Sequence, residues 1–147
     1  MMKTIKKSIE IASTKEHVWE ILIQDHHNRN WLAIFSPGSH ALTDWQPGSK
    51  VVFSDDSGSG IIGRIIAHAP YELLEIEYYG MLNNHAEDFE SEDAKLTNGA
   101  RESYQLTSKD GQTLLAIECD MTEDSFDTMS ELWEEALLKI KELAEEG

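Results

Sequence analysis

Apolar positions recur along this chain with two distinct periods, and the longest periodic stretch lies at its C-terminal end. From Asp124 to Glu146, Phe126, Met129, Trp133, Leu137, Ile140 and Ala144 follow one another at steps of three and four. That spacing is one stripe on a helix. Leu132, Ala136 and Leu143 widen the stripe, and glutamates and lysines fill much of the opposite face. At ~1.5 Å per residue the helix is roughly 34 Å long. Such a stripe needs a broad apolar surface to lie on.

Most of the remaining chain supplies period-two patterns. Ile5, Lys7, Ile9 and Ile11 mark a half-buried first strand. Ser13 or Thr14 then caps a helix whose apolar face is Val18, Trp19, Ile21 and Leu22. The polar run 25–30 reads as an interruption, and 31–35 as a second short helix stopped by Pro37-Gly38. Strands are predicted over 40–45, 50–54, 61–68, 73–79, 100–107 and 113–121. Asp110-Gly111 signals a hairpin between the last two. The stretch 83–98 is acidic with little periodicity and reads as a long loop, the least protected segment of the chain. Two short helices after the first strand, a curved, mainly antiparallel sheet of about six or seven strands, and a long last helix make an α+β layout. With 147 residues, 40% of them hydrophobic, the chain reads as one domain over 1–147.

This order resembles the helix-grip fold of the START-like superfamily, which includes lipid-transfer domains, birch-pollen-allergen-like proteins and polyketide cyclases. Within it the chain is most similar to the small domain homologous to the C-terminal part of the activator of the heat-shock chaperone ATPase. The features that carry the resemblance span nearly the whole chain. They are the opening strand with Ser13-Thr14 and Val18-Trp19, then Trp31, and Trp45-Gln46-Pro47-Gly48. Gly63-Arg64-Ile65 running to Ala69-Pro70, Leu74 to Tyr78, and Trp133 complete them. The resemblance implies a sheet wrapped around the last helix with a cavity between them. It transfers no catalytic residue. The eukaryotic activators carry a separate N-terminal chaperone-binding domain, whereas this chain begins directly with the first strand. A chaperone partner is therefore the secondary implication.

Strand parity then names a candidate ligand site. Ile76, Tyr78, Tyr104 and Ile117 face the helix, Met129, Trp133 and Leu137 meet them, and Trp31 and Phe35 close one end. Met81, Met121 and Met129 suit adaptable walls. Glu102 shares parity with Tyr104, which aims its carboxyl inward, with Arg64, Arg101 and His85 as conceivable partners. The base rate for acids argues for a strand end with the carboxyl in solvent instead. Such a site suits a hydrophobic or amphipathic small molecule. The alternatives are a cyclase or lyase acting in the same cavity, and a co-chaperone-like interaction module.

Charge and chemistry narrow the rest. With 28 acids against 12 bases the net charge is −16, which argues against nucleic acid and anionic membranes as partners. No apolar run reaches membrane-spanning length, and no signal core follows the N-terminal lysines, so a cytoplasmic location is expected. Cys119, the only cysteine, cannot form an intramolecular disulfide and reads as a buried, inert thiol. The six histidines lack zinc-type spacing, the acidic stretch lacks a calcium-loop pattern, and no glycine loop opens a helix. The expectation is no metal and no nucleotide-type cofactor. His85 with Asp88 is a conceivable acid–base pair, outweighed by a solvated loop.

Overall fold

The computed structural model describes residues 2–146. Strand β1 (Met2–Ile11) leads into helices α1 (Lys15–Ile23) and α2 (Asp25–Leu32). Then come β2 (His40–Leu42), β3 (Lys50–Ser54), β4 (Gly60–Ala69), β5 (Leu73–Asn83) and β6 (Ala86–Asp88). Helix α3 (Glu92–Thr97), strands β7 (Arg101–Lys109) and β8 (Gln112–Thr122), and helix α4 (Glu123–Glu146) complete the chain. The strands form one antiparallel sheet in the order β1-β8-β7-β5-β4-β3-β2, with β6 paired to β5 beyond the end of β7. This is the α+β helix-grip architecture, with eight strands among the described residues.

Curvature has a local cause. The β4–β5 register shifts at Ile62/Gly63 and again at Ile65/Ala67. Each irregularity bends and twists the strand that carries it. Gly63 is needed at the first, because a Cβ there would lie 2.8 Å from the Glu77 carbonyl oxygen. The concave face so formed is filled by Ile65, Leu74, Ile76, Leu106, Leu115 and Ile117, all buried. Helix α4 lies across it with Trp133, Ala136, Leu137, Ile140 and Ala144 buried. Phe126 and Met129, in its first two turns, are only partly covered. There the helix and sheet diverge.

The first helix is capped by Thr14, whose hydroxyl accepts from the His17 N–H at 3.2 Å. Three expectations are corrected. The polar run 25–30 is not an interruption: it is most of α2, and Phe35 lies in the turn after that helix. Its buried residues Asn28, Trp31 and Leu32 stand at steps of three and four, so one face suffices. Asp25 and Arg29 pair across one turn at 2.8 Å on the outer face. The strand expected over 40–45 ends at Leu42, and Trp45 takes a positive φ of 62°. Finally, the acidic stretch 83–98 is not a loop. Asn84 and His85, at φ 50° and 67°, turn β5 back into β6, and Ser91 caps α3 by accepting from the Ala94 N–H at 3.1 Å.

Candidate functional site

Where α4 leaves the sheet, a cavity of about 450 Å³ opens between them. Its sheet wall is built from Phe53, Tyr78, Met81, Glu102, Tyr104 and Met121. Leu32 at the end of α2 and Phe35 in the turn after it, with Met129 and Trp133 from α4, form the opposite wall. Asp93, Leu96 and Thr97 of α3 stand at its edge. Leu96 is exposed, so α3 is the outer rim.

An aromatic cluster fixes the inner end. The Trp133 ring packs edge-on against Phe35 at 5.0 Å and Tyr104 at 6.0 Å between centroids. Trp31 stands behind at 6.2 Å and donates its indole N–H to the Ile21 carbonyl at 3.0 Å. The indole N–H of Trp133 is buried with no hydrogen-bond partner among the described residues.

Glu102 is the polar centre of the site. It is 8% exposed, which overturns the expectation that its carboxyl reaches solvent. Tyr78 donates its hydroxyl to Oε1 at 3.0 Å, Tyr104 donates to Oε2, and the Cys119 thiol donates to Oε1 at 3.5 Å. These donors replace the arginines and histidine that the sequence made conceivable. Arg101 instead reaches Glu75 and Glu77 at 3.7 and 3.6 Å, and Arg64 lies over the Tyr79 ring. Burial pushes the Glu102 carboxyl above its ordinary range, and the three donors pull part of the way back. Burial likewise drives Tyr78, Tyr104 and Cys119 well above theirs. Cys119 is thus a protonated donor, with none of the thiolate character a nucleophile needs.

Of the ten positions named from the sequence, Phe35, Tyr78, Glu102, Tyr104, Met129 and Trp133 line the cavity. Trp31, Ile76, Ile117 and Leu137 lie in packed core. Parity puts Ile76 and Ile117 on the correct face, opposite Glu102 and Tyr104 in the register, but both are fully buried in the core rather than open to the cavity. Leu32, Phe53, Ala100 and the rim of α3 were not anticipated. Phe53 shares a face of β3 with the buried Val51 and could have been found by parity. The rim could not, because it depends on a helix the acidic run disguised. Asp88 does not pair with His85: it accepts from the Asn83 amide at 2.7 Å and from the backbone N–H groups of Glu90 and Ser91. Among the described residues no three His, Cys, Asp or Glu side chains converge as metal ligands, and no helix is long and apolar enough to cross a membrane.

Comparison with known proteins agrees with this architecture. The solution structure of the Aha1 dimer from Colwellia psychrerythraea superposes with a TM-score of 0.74 at 17% identity, over 97% of this chain and 96% of that one. A crystal structure of a protein from Mesorhizobium loti gives 0.77 at 18% identity, over 98% of each chain. CalU16 from Micromonospora echinospora gives 0.65 at 16% identity, over 95% of this chain and 74% of that one. No curated protein sequence matches significantly. The family model described as Activator of Hsp90 ATPase homolog 1-like protein matches residues 12–145, and the chain belongs to that family.

Proposed function

We propose that this protein is a small-molecule-binding domain that holds a hydrophobic or amphipathic ligand between the sheet and α4. One observation carries the reading: a cavity of about 450 Å³ with mainly apolar and aromatic walls surrounds a single buried, hydrogen-bonded carboxyl. Sites for organic ligands are of this size and character. Of the exposed large apolar residues, Met2 and Leu96 border the cavity itself, which supports a ligand entering there over a docking module for a chaperone. The core is continuous from β1 to α4, which supports one domain, and the single buried thiol supports a reducing, cytoplasmic location.

A thermal-shift screen of flavonoids, polyketides, sterols and apolar amines tests it. A true ligand stabilises by mass action, about 2.7 kcal/mol at a hundredfold excess over its dissociation constant. Met129→Trp, which fills the cavity, should abolish the shift. If no apolar compound stabilises the chain, or if the shift survives Met129→Trp, the cavity is not the binding site.

The Glu102 cluster favours a second reading, an enzyme of cyclase or lyase type. A carboxyl raised by burial inside a cavity can exchange a proton with a bound substrate. Turnover of a stabilising compound, lost in Glu102→Gln, would decide for catalysis.

A further inference from the structure

The cavity contains acids and no base. Glu102 sits within it, Asp120 flanks it and Asp93 stands at its edge, while no lysine, arginine or histidine lines it among the described residues. Buried charges in proteins are ordinarily paired. Glu102 has three hydrogen-bond donors and no cation, since both nearby arginines are engaged on the outer face. An anionic ligand such as a fatty acid would bring a second negative charge beside it. A neutral ligand would supply no counter-charge to the ionised form of Glu102. The walls add a preference of the same sign, because they are rich in aromatic side chains, Trp133, Tyr104, Tyr78, Phe35 and Phe53, a residue type whose rings attract cations.

Building on the ligand-binding reading above, we propose that the cavity selects an apolar amine, whose protonated nitrogen pairs with Glu102 and whose hydrocarbon body lies among Phe35, Phe53, Met129 and Trp133. The ammonium supplies the charge the fold omits. The carboxylate keeps its tyrosine and thiol donors and gains an ionic partner in a site screened little by salt.

Calorimetric titration of the full chain with three probes of one shape tests this: naphthylmethylamine, naphthylmethanol and naphthoic acid, near neutral pH. The amine should bind at least about tenfold tighter than the alcohol, and the acid weakest of all. In Glu102→Gln the amine preference should fall below about threefold. Leu138→Ala, on the exposed face of α4 away from the cavity, should retain it. Raising salt from about 0.15 M to about 1 M should leave the preference in place, because the pair is buried. An alcohol or acid that binds as tightly as the amine overturns the inference while leaving the cavity as a binding site. A preference that survives Glu102→Gln, or that vanishes at high salt, also overturns it, since its source would then be the acidic surface. If none of the three probes binds, the ligand-binding reading fails and the inference fails with it. The comparison of probes on the unaltered chain stands whether or not a variant folds.

Discussion

A carboxyl buried among three donors with no base beside it makes folding stability depend on pH. The folded-state value of Glu102 is raised, with burial as the main cause. Its contribution is therefore fully present below the ordinary glutamate range and is lost as pH rises through the raised value. Glutamine at this position does not titrate. The melting temperature of Glu102→Gln relative to the unaltered chain should climb as pH rises from the ordinary glutamate range through the raised folded-state value in the ligand-free protein. A flat or falling difference would show that the carboxyl is hydrated in solution. Trp133 is the other decisive residue. It is 2% exposed and touches Phe35, Tyr104 and Trp31. Trp133→Ala should cost about 3 kcal/mol in denaturant unfolding, at the low end for such truncations because one side already borders open space. A cost under about 1 kcal/mol would mean the ring is not packed as described. Trp133 was legible as inward by helix period; strand parity aimed Glu102 inward as well, but the base rate for acids put its carboxyl in solvent, and its burial corrects that. The partners of Glu102 were not legible, since Tyr78 and Cys119 lie 24 and 17 residues away and only sheet register brings them together.

Among the elements, α3 is the one whose stability is local. Six residues are too few to hold a helix in water unaided. The Ser91 cap, the buried Ala94 and the Phe89 ring stacked on Tyr79 at 6.0 Å hold it in place. Ser91→Ala should cost this segment about 1 kcal/mol and speed amide exchange over 92–98, leaving β7 and β8 protected. Acceleration spread equally over the sheet would show that α3 unfolds only with the whole molecule. The signals for α3 were present in the chain, a serine followed by two acids, but the surrounding charge obscured them. Helix α2 was concealed the same way, by polar residues that occupy only its outer face. Helix α4 and the longer strands were legible because their burial is one-sided and their periods long, whereas the three-residue β6 was not, and the three-residue β2 only at its start. Elements that bury only one to three residues leave no period to read.

At the scale of the whole molecule the surplus of acids sets a field. Only 12 bases oppose 28 acids, and ion pairs such as Lys7–Glu134 at 2.9 Å and Arg101 with Glu75 and Glu77 lie at the surface, where each contributes little. Net self-repulsion should weaken the compact state at low ionic strength. Raising salt from about 0.01 M to about 0.15 M shortens the Debye length from about 30 Å to about 8 Å, so the melting temperature should rise over that interval. A fall would mean that the surface pairs outweigh the repulsion. The same field acts on a ligand before it arrives. With Asp93 at the cavity edge, a cation is concentrated at the entrance and an anion is turned away. Stopped-flow association of naphthylmethylamine should therefore slow over this salt interval, while dissociation, governed by the buried pair with Glu102, changes little. If dissociation carries the salt dependence instead, the ammonium is held at the surface, because a contact buried between sheet and helix is screened little by ions in the surrounding water.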